Sequence, residues 1–230
     1  MKLLVTCEHG GNDIPAEYKK YFIEKDALKT HRGYDLGAIN LFNYLAPLSD
    51  ASFYSTTSRL LVELNRSLFH KQLFSEFTKG ISKDEKAEIL KQYYIPYRSA
   101  VEHKIAAYIA AKQQVFHLSI HSFTPQLNEK KRNCDIGLLY DSTKNPEQQF
   151  CKNFKAALLK QNPNLNVRSN YPYLGKADGF TTFLRKLFPT NYLGVEIEIN
   201  QKFVSNEVID IALKQAVYNT IDSLKTQYTA

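Results

Sequence analysis

The feature that most narrows the fold of this 230-residue chain is an alternation of two hydrophobic periods. Short aliphatic and β-branched runs at 2–7, 115–120, 136–140 and 192–199, with one or two more in 52–63, read as strands. Helical patterns fill 34–47, 83–113, 146–161, 180–187 and 203–226. Strands that take turns with helices predict an α/β fold with a largely parallel or mixed sheet. In such sheets ligands bind outside the carboxyl ends of the strands. Ser82 and Glu85 have the spacing of a capping box, while Pro96 is expected to split the 83–113 pattern in two. An irregular aromatic loop is expected over 167–176.

Length and charge bound the rest. One hydrophobic core serves up to about 250–300 residues, so 1–230 reads as a single domain. The net charge of +7 is spread over helical segments where lysines mix with acidic and neutral residues. That is the pattern of solvated faces and predicts no nucleic-acid partner. No stretch approaches the roughly 18–20 apolar residues of a membrane span. The run Leu3-Leu4-Val5, with Glu8 soon after, is too short for a signal peptide. Cys7, Cys134 and Cys151 are odd in number and lack metal-type spacing. A cytoplasmic protein without a membrane partner is expected, its positive field suited to a small anionic substrate; the oligomeric state is left open.

The chemistry-bearing residues cluster where apolar runs end. His9 follows the first run and precedes two glycines that permit tight turning and close approach of a ligand. His121 ends the 115–120 run; His117, four residues earlier, shares its face and reads as a structural histidine. Asp35 opens a helical pattern, where it is either a first-turn dipole partner or a third metal ligand beside two histidines. Asn12, three residues after His9, is a weaker alternative ligand. Glu196 and Glu198 share one face of the 192–199 run: solvated if the strand lies at an edge, costly without partners if it is buried. Arg59, Asn65 and Arg66 offer a carboxylate-binding fork and amide, or two surface arginines paired with Glu63. Tyr173, Lys176 and Arg185 are further substrate-binding candidates in and after the aromatic loop.

Six ordered strings carry a resemblance: Cys-Glu-His-Gly-Gly-Asn-Asp-Ile-Pro (7–15), His-Arg-Gly-Tyr-Asp-Leu-Gly-Ala (31–38), Ser-Arg-Leu-Leu-Val-Glu-Leu-Asn-Arg (58–66), Ile-His-Ser-Phe-Thr-Pro (120–125), Asn-Tyr-Pro-Tyr-Leu-Gly (170–175) and Gly-Val-Glu-Ile-Glu-Ile-Asn-Gln (194–201). Together they resemble the N-formylglutamate amidohydrolase family, related to the zinc carboxypeptidases. The resemblance implies a three-layer α/β/α sandwich around a mixed, mostly parallel sheet. It implies a divalent metal, Zn²⁺ first, held by His9 and His121 with Asp35 as third ligand. Glu198 is the implied base, or Glu196 if the motif is matched two residues earlier. Arg59 would support the oxyanion, and Asn65 with Arg66 would hold a substrate carboxylate. The implied reaction is hydrolysis of N-formyl-L-glutamate to formate and glutamate. Alternatives are a deacylase of another N-acyl amino acid and a non-catalytic binding domain on the same fold. Tyr171, Asn200 and Lys202 depart from the usual family wording and are expected to border the pocket.

Overall fold

The computed structural model describes residues 1–23 and 25–229. In chain order its elements are β1 (Lys2–Cys7), α1 (Ala38–Leu45), β2 (Ala51–Tyr54), α2 (Lys83–Ile89), α3 (Ile95–Ala110), β3 (Val115–Phe123), β4 (Gln126–Leu127), β5 (Lys130–Lys131), β6 (Ile136–Leu139), α4 (Asn145–Gln161), β7 (Val167–Ser169), α5 (Phe180–Leu187), β8 (Tyr192–Asn200), β9 (Val204–Ser205), β10 (Val208–Ile209) and α6 (Ile211–Thr229). Six strands form one sheet in the order β2-β1-β3-β8-β6-β7. The block β2-β1-β3-β8 is parallel; β6 runs antiparallel to β8 and parallel to β7.

Alternation along the central strands decides what each face of the sheet does. Val5 of β1, Leu118 and Ile120 of β3, and Val195 and Ile197 of β8 pack with α1, α4 and α6. On the other face Leu4, Val115 and Tyr192 meet Val101 and Ile105 of α3 and Phe180 and Leu184 of α5. Helices therefore cover both faces, as a sheet of near-continuous apolar runs requires. A third cluster, with Tyr18, Phe22, Leu61, Leu64, Leu73 and Ile89, underlies the connection from β2 to α2. At about 1.5–3 kcal/mol per large apolar side chain, it anchors a segment that no sheet or helix holds.

Several boundaries differ from the sequence expectation. The strand within 52–63 stops at Tyr54, and past it an isolated bridge pairs Thr57 with Asp13. Beyond it Ser58 donates to Gly33 O (2.9 Å) and accepts from Leu60 N (3.2 Å), turning the chain so that 59–66 crosses the top of the sheet as buried loop. The 83–113 pattern comes in two α-helices, with Pro96 in the first turn of the second, but a π-helical stretch over Leu90–Tyr94 keeps the chain helical between them. The capping box of Ser82 and Glu85 forms as expected. Residues 204–210 are not helix: Asn206 and Glu207 take positive φ values of 48° and 63° and close the β9–β10 hairpin before α6 begins. In the aromatic loop, 167–169 pairs with β6 as β7. All three cysteines are buried and unpaired. Among the described residues, no helix is long and apolar enough to cross a membrane.

Candidate active site

The α3/α5 face of the sheet turns polar toward the carboxyl ends of its strands. β3 presents Ser119 and His121 there, β8 presents Glu196 and Glu198, and Glu8 continues β1; all are buried. In register, His121 lies opposite Glu198 and Ser119 opposite Glu196. Because β8 sits between β3 and β6, the reading of its carboxylates as solvated edge residues is corrected.

His9 stands just past β1. Asp35 comes from the turn before α1, where its N–H donates to His9 O (3.0 Å). One ligand atom from each of His9, Asp35 and His121 lies within 4.8 Å of the others. Both rings turn Nδ1 toward Asp35 Oδ2, at 3.3 Å from His9 and 2.9 Å from His121. Their Nε2 atoms are held from behind: His9 by Glu63, and His121 by Ser119 Oγ (2.8 Å) and Glu8 Oε2 (3.3 Å). Carboxylates behind histidines are how metal-ligating rings are usually oriented. Arg59 ties the wall together, its Nε on Glu63 Oε2 (2.8 Å) and its Nη1 on Asp35 Oδ1 (3.2 Å). Asn12 is turned away and donates to Leu28 O (3.0 Å), so Asp35, not Asn12, joins the two histidines.

The two glycines after His9 serve the chain and not a ligand: a Cβ on Gly11 would lie 2.7 Å from Thr56 O. Gly137 does the same across the site. A Cβ there would lie 2.0 Å from Tyr171 O, so only glycine lets the aromatic loop cross β6 and set Tyr173 over the pit.

Four buried carboxyl groups, Glu8, Asp35, Glu63 and Glu198, face one guanidinium and two imidazoles. Burial alone would raise all four. Hydrogen bonding and charge from His121 hold Glu8 far below the usual range, and the charge of His9 with bonds from both rings does the same for Asp35. Arg59 and His9 hold Glu63 down against its burial. Burial should depress the rings, yet bonds to Asp35 and Glu8 push His121 well above its ordinary value, and Glu63 and Asp35 raise His9. Glu198 behaves oppositely: burial, with Asp35 and Glu196 adding, lifts its carboxyl to about 8 despite His121 and Arg59. Its Oε2 is buried without a hydrogen-bond partner, whereas Glu196 accepts from Thr181 Oγ1 (2.6 Å). A field that draws protons onto two rings also favours a cation among them. Two imidazoles and a carboxylate are a fitting ligand set for a divalent ion, with an orphan carboxyl beside it.

The pit over this group has a volume of about 310 Å³ and is lined also by Asn65, Arg66, Tyr173, Glu196 and Glu198. Asn65 Oδ1 accepts from Phe180 N (2.6 Å), and Arg66 donates to Asp178 O. Arg98 holds their backbone, donating to Leu64 O and Arg66 O (both 3.1 Å). Other candidates fall outside. Arg185 is buried below the pit, its fork spent on Glu147, Gly175 O and Gly194 O, so its assignment to substrate is corrected to a structural tie. Lys176 does not line the pit. Nor do Tyr171, Asn200 and Lys202 border it: Arg168 stacks on Tyr171, Asn200 donates to Cys134 O (2.7 Å) and Lys202 pairs with Asp135 (2.6 Å). Glu8 was not singled out by the sequence reading, and Glu63 entered it only as an arginine partner. The signal for Glu63 was present, since it is a lone carboxylate inside the apolar run Leu60–Leu64.

The fold is shared with the gene product Atu2144 from Agrobacterium tumefaciens, at 26% identity and a TM-score of 0.77 over 97% of this chain and 92% of that one. It is shared also with N-formylglutamate amidohydrolase from Ralstonia eutropha JMP134, at 16% identity and a TM-score of 0.71 over 99% of this chain and 93% of that one. No functionally curated protein matches the sequence. The family match defines a hydrolase acting on amide bonds. The chain belongs to the N-formylglutamate amidohydrolase family, whose model matches residues 1–205.

Proposed function

We propose that the protein is a metal-dependent deacylase of small anionic N-acyl amino acids, with N-formyl-L-glutamate as first substrate and Zn²⁺ as metal. The observation that carries this reading is the buried, unpartnered Glu198 Oε2 in the pit that also holds His9, Asp35 and His121. His9 and His121 through Nδ1, and Asp35 through a carboxylate oxygen, would hold the ion. A divalent cation there supplies Lewis acidity and lowers the pKa of water bound to it. Glu63 behind His9, and Glu8 with Ser119 behind His121, fix the rings so that Nδ1 faces inward.

Glu198 is the general base. It takes a proton from the attacking water and returns one to the amine nitrogen as the amide bond breaks. A carboxyl lifted toward neutrality by burial matches that exchange, and added positive charge beside it tunes it downward. Glu196, held by Thr181, is the weaker choice because its carboxylate is already engaged. Each terminal nitrogen of Arg59 keeps an N–H beyond its bonds to Glu63 and Asp35, and these support the developing oxyanion. Asn65 and Arg66 grip the substrate carboxylate and turn encounter into positioned attack.

Formate release from N-formyl-L-glutamate, assayed with and without a chelator, tests the proposal. Release that stops on chelation and returns with Zn²⁺ is expected. A protein that carries one metal per chain and releases no formate would overturn the substrate, and one that binds no metal would overturn the chemistry.

A further inference from the structure

The pit does not end at Arg59 and Tyr173. On their far side lies a larger chamber of about 630 Å³, which shares Asp35, Arg59, Ser122 and Tyr173 with the pit. N-formylglutamate does not need this space, since the pit alone falls within the roughly 300–1,000 Å³ of small-ligand sites. The chamber's two sides are the segment 71–79 and the loop 122–132 that carries the β4–β5 hairpin.

Its charge is one-sided. Asp35 and Glu63 on its wall are spent on Arg59 and the histidines, and Glu76 on Arg32. Arg132, Lys71 and Lys79 also line it, and among the described residues none of the three enters an ion pair. Arg132 is set in place and not loose: it donates to Tyr173 OH (3.1 Å) and lies over that ring and over Phe123, at 5.1 and 5.9 Å. Held by neutral partners, its guanidinium keeps its charge for an incoming anion. His31 across the chamber registers the same field, its pKa lowered by burial and then by Arg132, Arg59 and Arg32.

The direction follows from the proposed function, on which this step rests. If Asn65 and Arg66 hold the amino-acid carboxylate at one side of the His9–Asp35–His121 group, the acyl group extends to the other, past Arg59 and Tyr173. We infer that the chamber is an acyl-side subsite, in which Arg132, with Lys71 and Lys79, receives the terminal carboxylate of a dicarboxylic acyl group. The enzyme would then hydrolyse N-(ω-carboxyacyl) amino acids. The acyl C–N bond breaks, water supplies hydroxyl to the acyl carbon and a proton to the nitrogen, and a dicarboxylate leaves with the amino acid.

The test compares N-glutaryl-L-glutamate with N-valeryl-L-glutamate, which has the same acyl carbon count and lacks the terminal charge. N-formyl-L-glutamate serves as control. Affinity is measured by calorimetry on zinc-supplemented Glu198→Gln protein, and kcat/KM on the wild type. One charge-assisted contact predicts about tenfold tighter binding of the glutaryl compound. Arg132→Gln should remove most of that ratio, and Lys79→Gln, at an exposed position, should lower it by about two- to threefold. Equal binding of the two compounds, or a ratio untouched in both variants, overturns the subsite even if N-formylglutamate is hydrolysed. Conversely, failure to hydrolyse any of the three overturns the amidohydrolase reading, while the binding ratio still decides the subsite.

Discussion

His117 and His121 lie on one face of β3, both buried, and their surroundings push their pKa values in opposite directions. Beside His121 stand Asp35 and Glu8, which push its pKa well above the ordinary value. His117 lies between two hydroxyls, Thr6 Oγ1 and Tyr192 OH, each at 2.7 Å. Burial, with Arg185 and His121 adding, drives it down to about 4 against the pull of Glu8. One strand thus crosses from a region that enforces neutrality into one that gathers charge. Burial is common to both; what differs is whether carboxylates or hydroxyls reach the ring. The site is made by importing Asp35 and Glu63 on loops to the carboxyl end of a sheet whose lower part stays neutral.

The sharpest break of this comparison is to remove each ring. His121→Ala should abolish stoichiometric zinc binding and bring formate release to background, because one of three ligands is gone. His117→Gln should keep both, while losing about 1–3 kcal/mol of unfolding free energy through its two hydroxyl partners. Metal content by elemental analysis beside a urea titration reads the two outcomes, and zinc loss in His117→Gln would erase the division.

Within the charged region, the two carboxylates of β8 sharpen it further. Glu198→Gln should lower kcat by about a thousandfold with metal content unchanged, within the range of general acid–base catalysis. Glu196→Gln, whose carboxylate already has Thr181, should lose less than about tenfold. Full activity in Glu198→Gln would transfer the base to Glu196.

Two arginines extend the contrast beyond the histidines. Arg66→Met should raise KM by about ten- to a hundredfold with kcat nearly kept, as expected for loss of a charge-assisted carboxylate contact. Arg185→Met should leave KM alone and destabilise the fold by about 3–5 kcal/mol, since it strands buried Glu147 without its counter-ion. A KM effect in Arg185→Met would return that residue to the substrate.

The fold was legible because period-two runs and helical patterns are local, and so was the His9–His121–Glu198 set, which sits where those runs end. What stayed hidden was carried by contacts distant in sequence. Glu63 reaches His9 across 54 positions, and Arg185 meets Glu147 across 38, so the first looked like a surface ion-pair partner and the second like a free fork. Position in the sheet was equally unreadable: the alternation in 192–199 is the same for an edge strand and for one between two neighbours. The hairpin at 204–209 was lost because its turn residues, Asn206 and Glu207, are also tolerated in a helical pattern.

The smallest effect concerns pH. A folded pKa of about 4 for His117, against an ordinary 6.5, means the unfolded chain binds a proton that the native state refuses. Its contribution is therefore full above about pH 6.5 and is lost as pH falls toward 4, by an amount on the order of 3 kcal/mol or less. His121 has the opposite sign: its raised pKa adds stability below about 6.5 that fades as pH rises through the folded value. The two rings act in separate windows, His117 below about 6.5 and His121 above it, and the lowered carboxyls of Glu8, Asp35 and Glu63 add their own loss in acid, so total acid sensitivity says little about either ring. A difference measurement separates them. Urea unfolding of wild type and His117→Gln, both in chelator, should give a stability gap that narrows as pH falls from 7 to 4.5, because only the wild type has a ring there to charge on unfolding. A gap that stays constant across that range would mean that His117 is protonated in the folded protein, and that the neutral lower region does not exist.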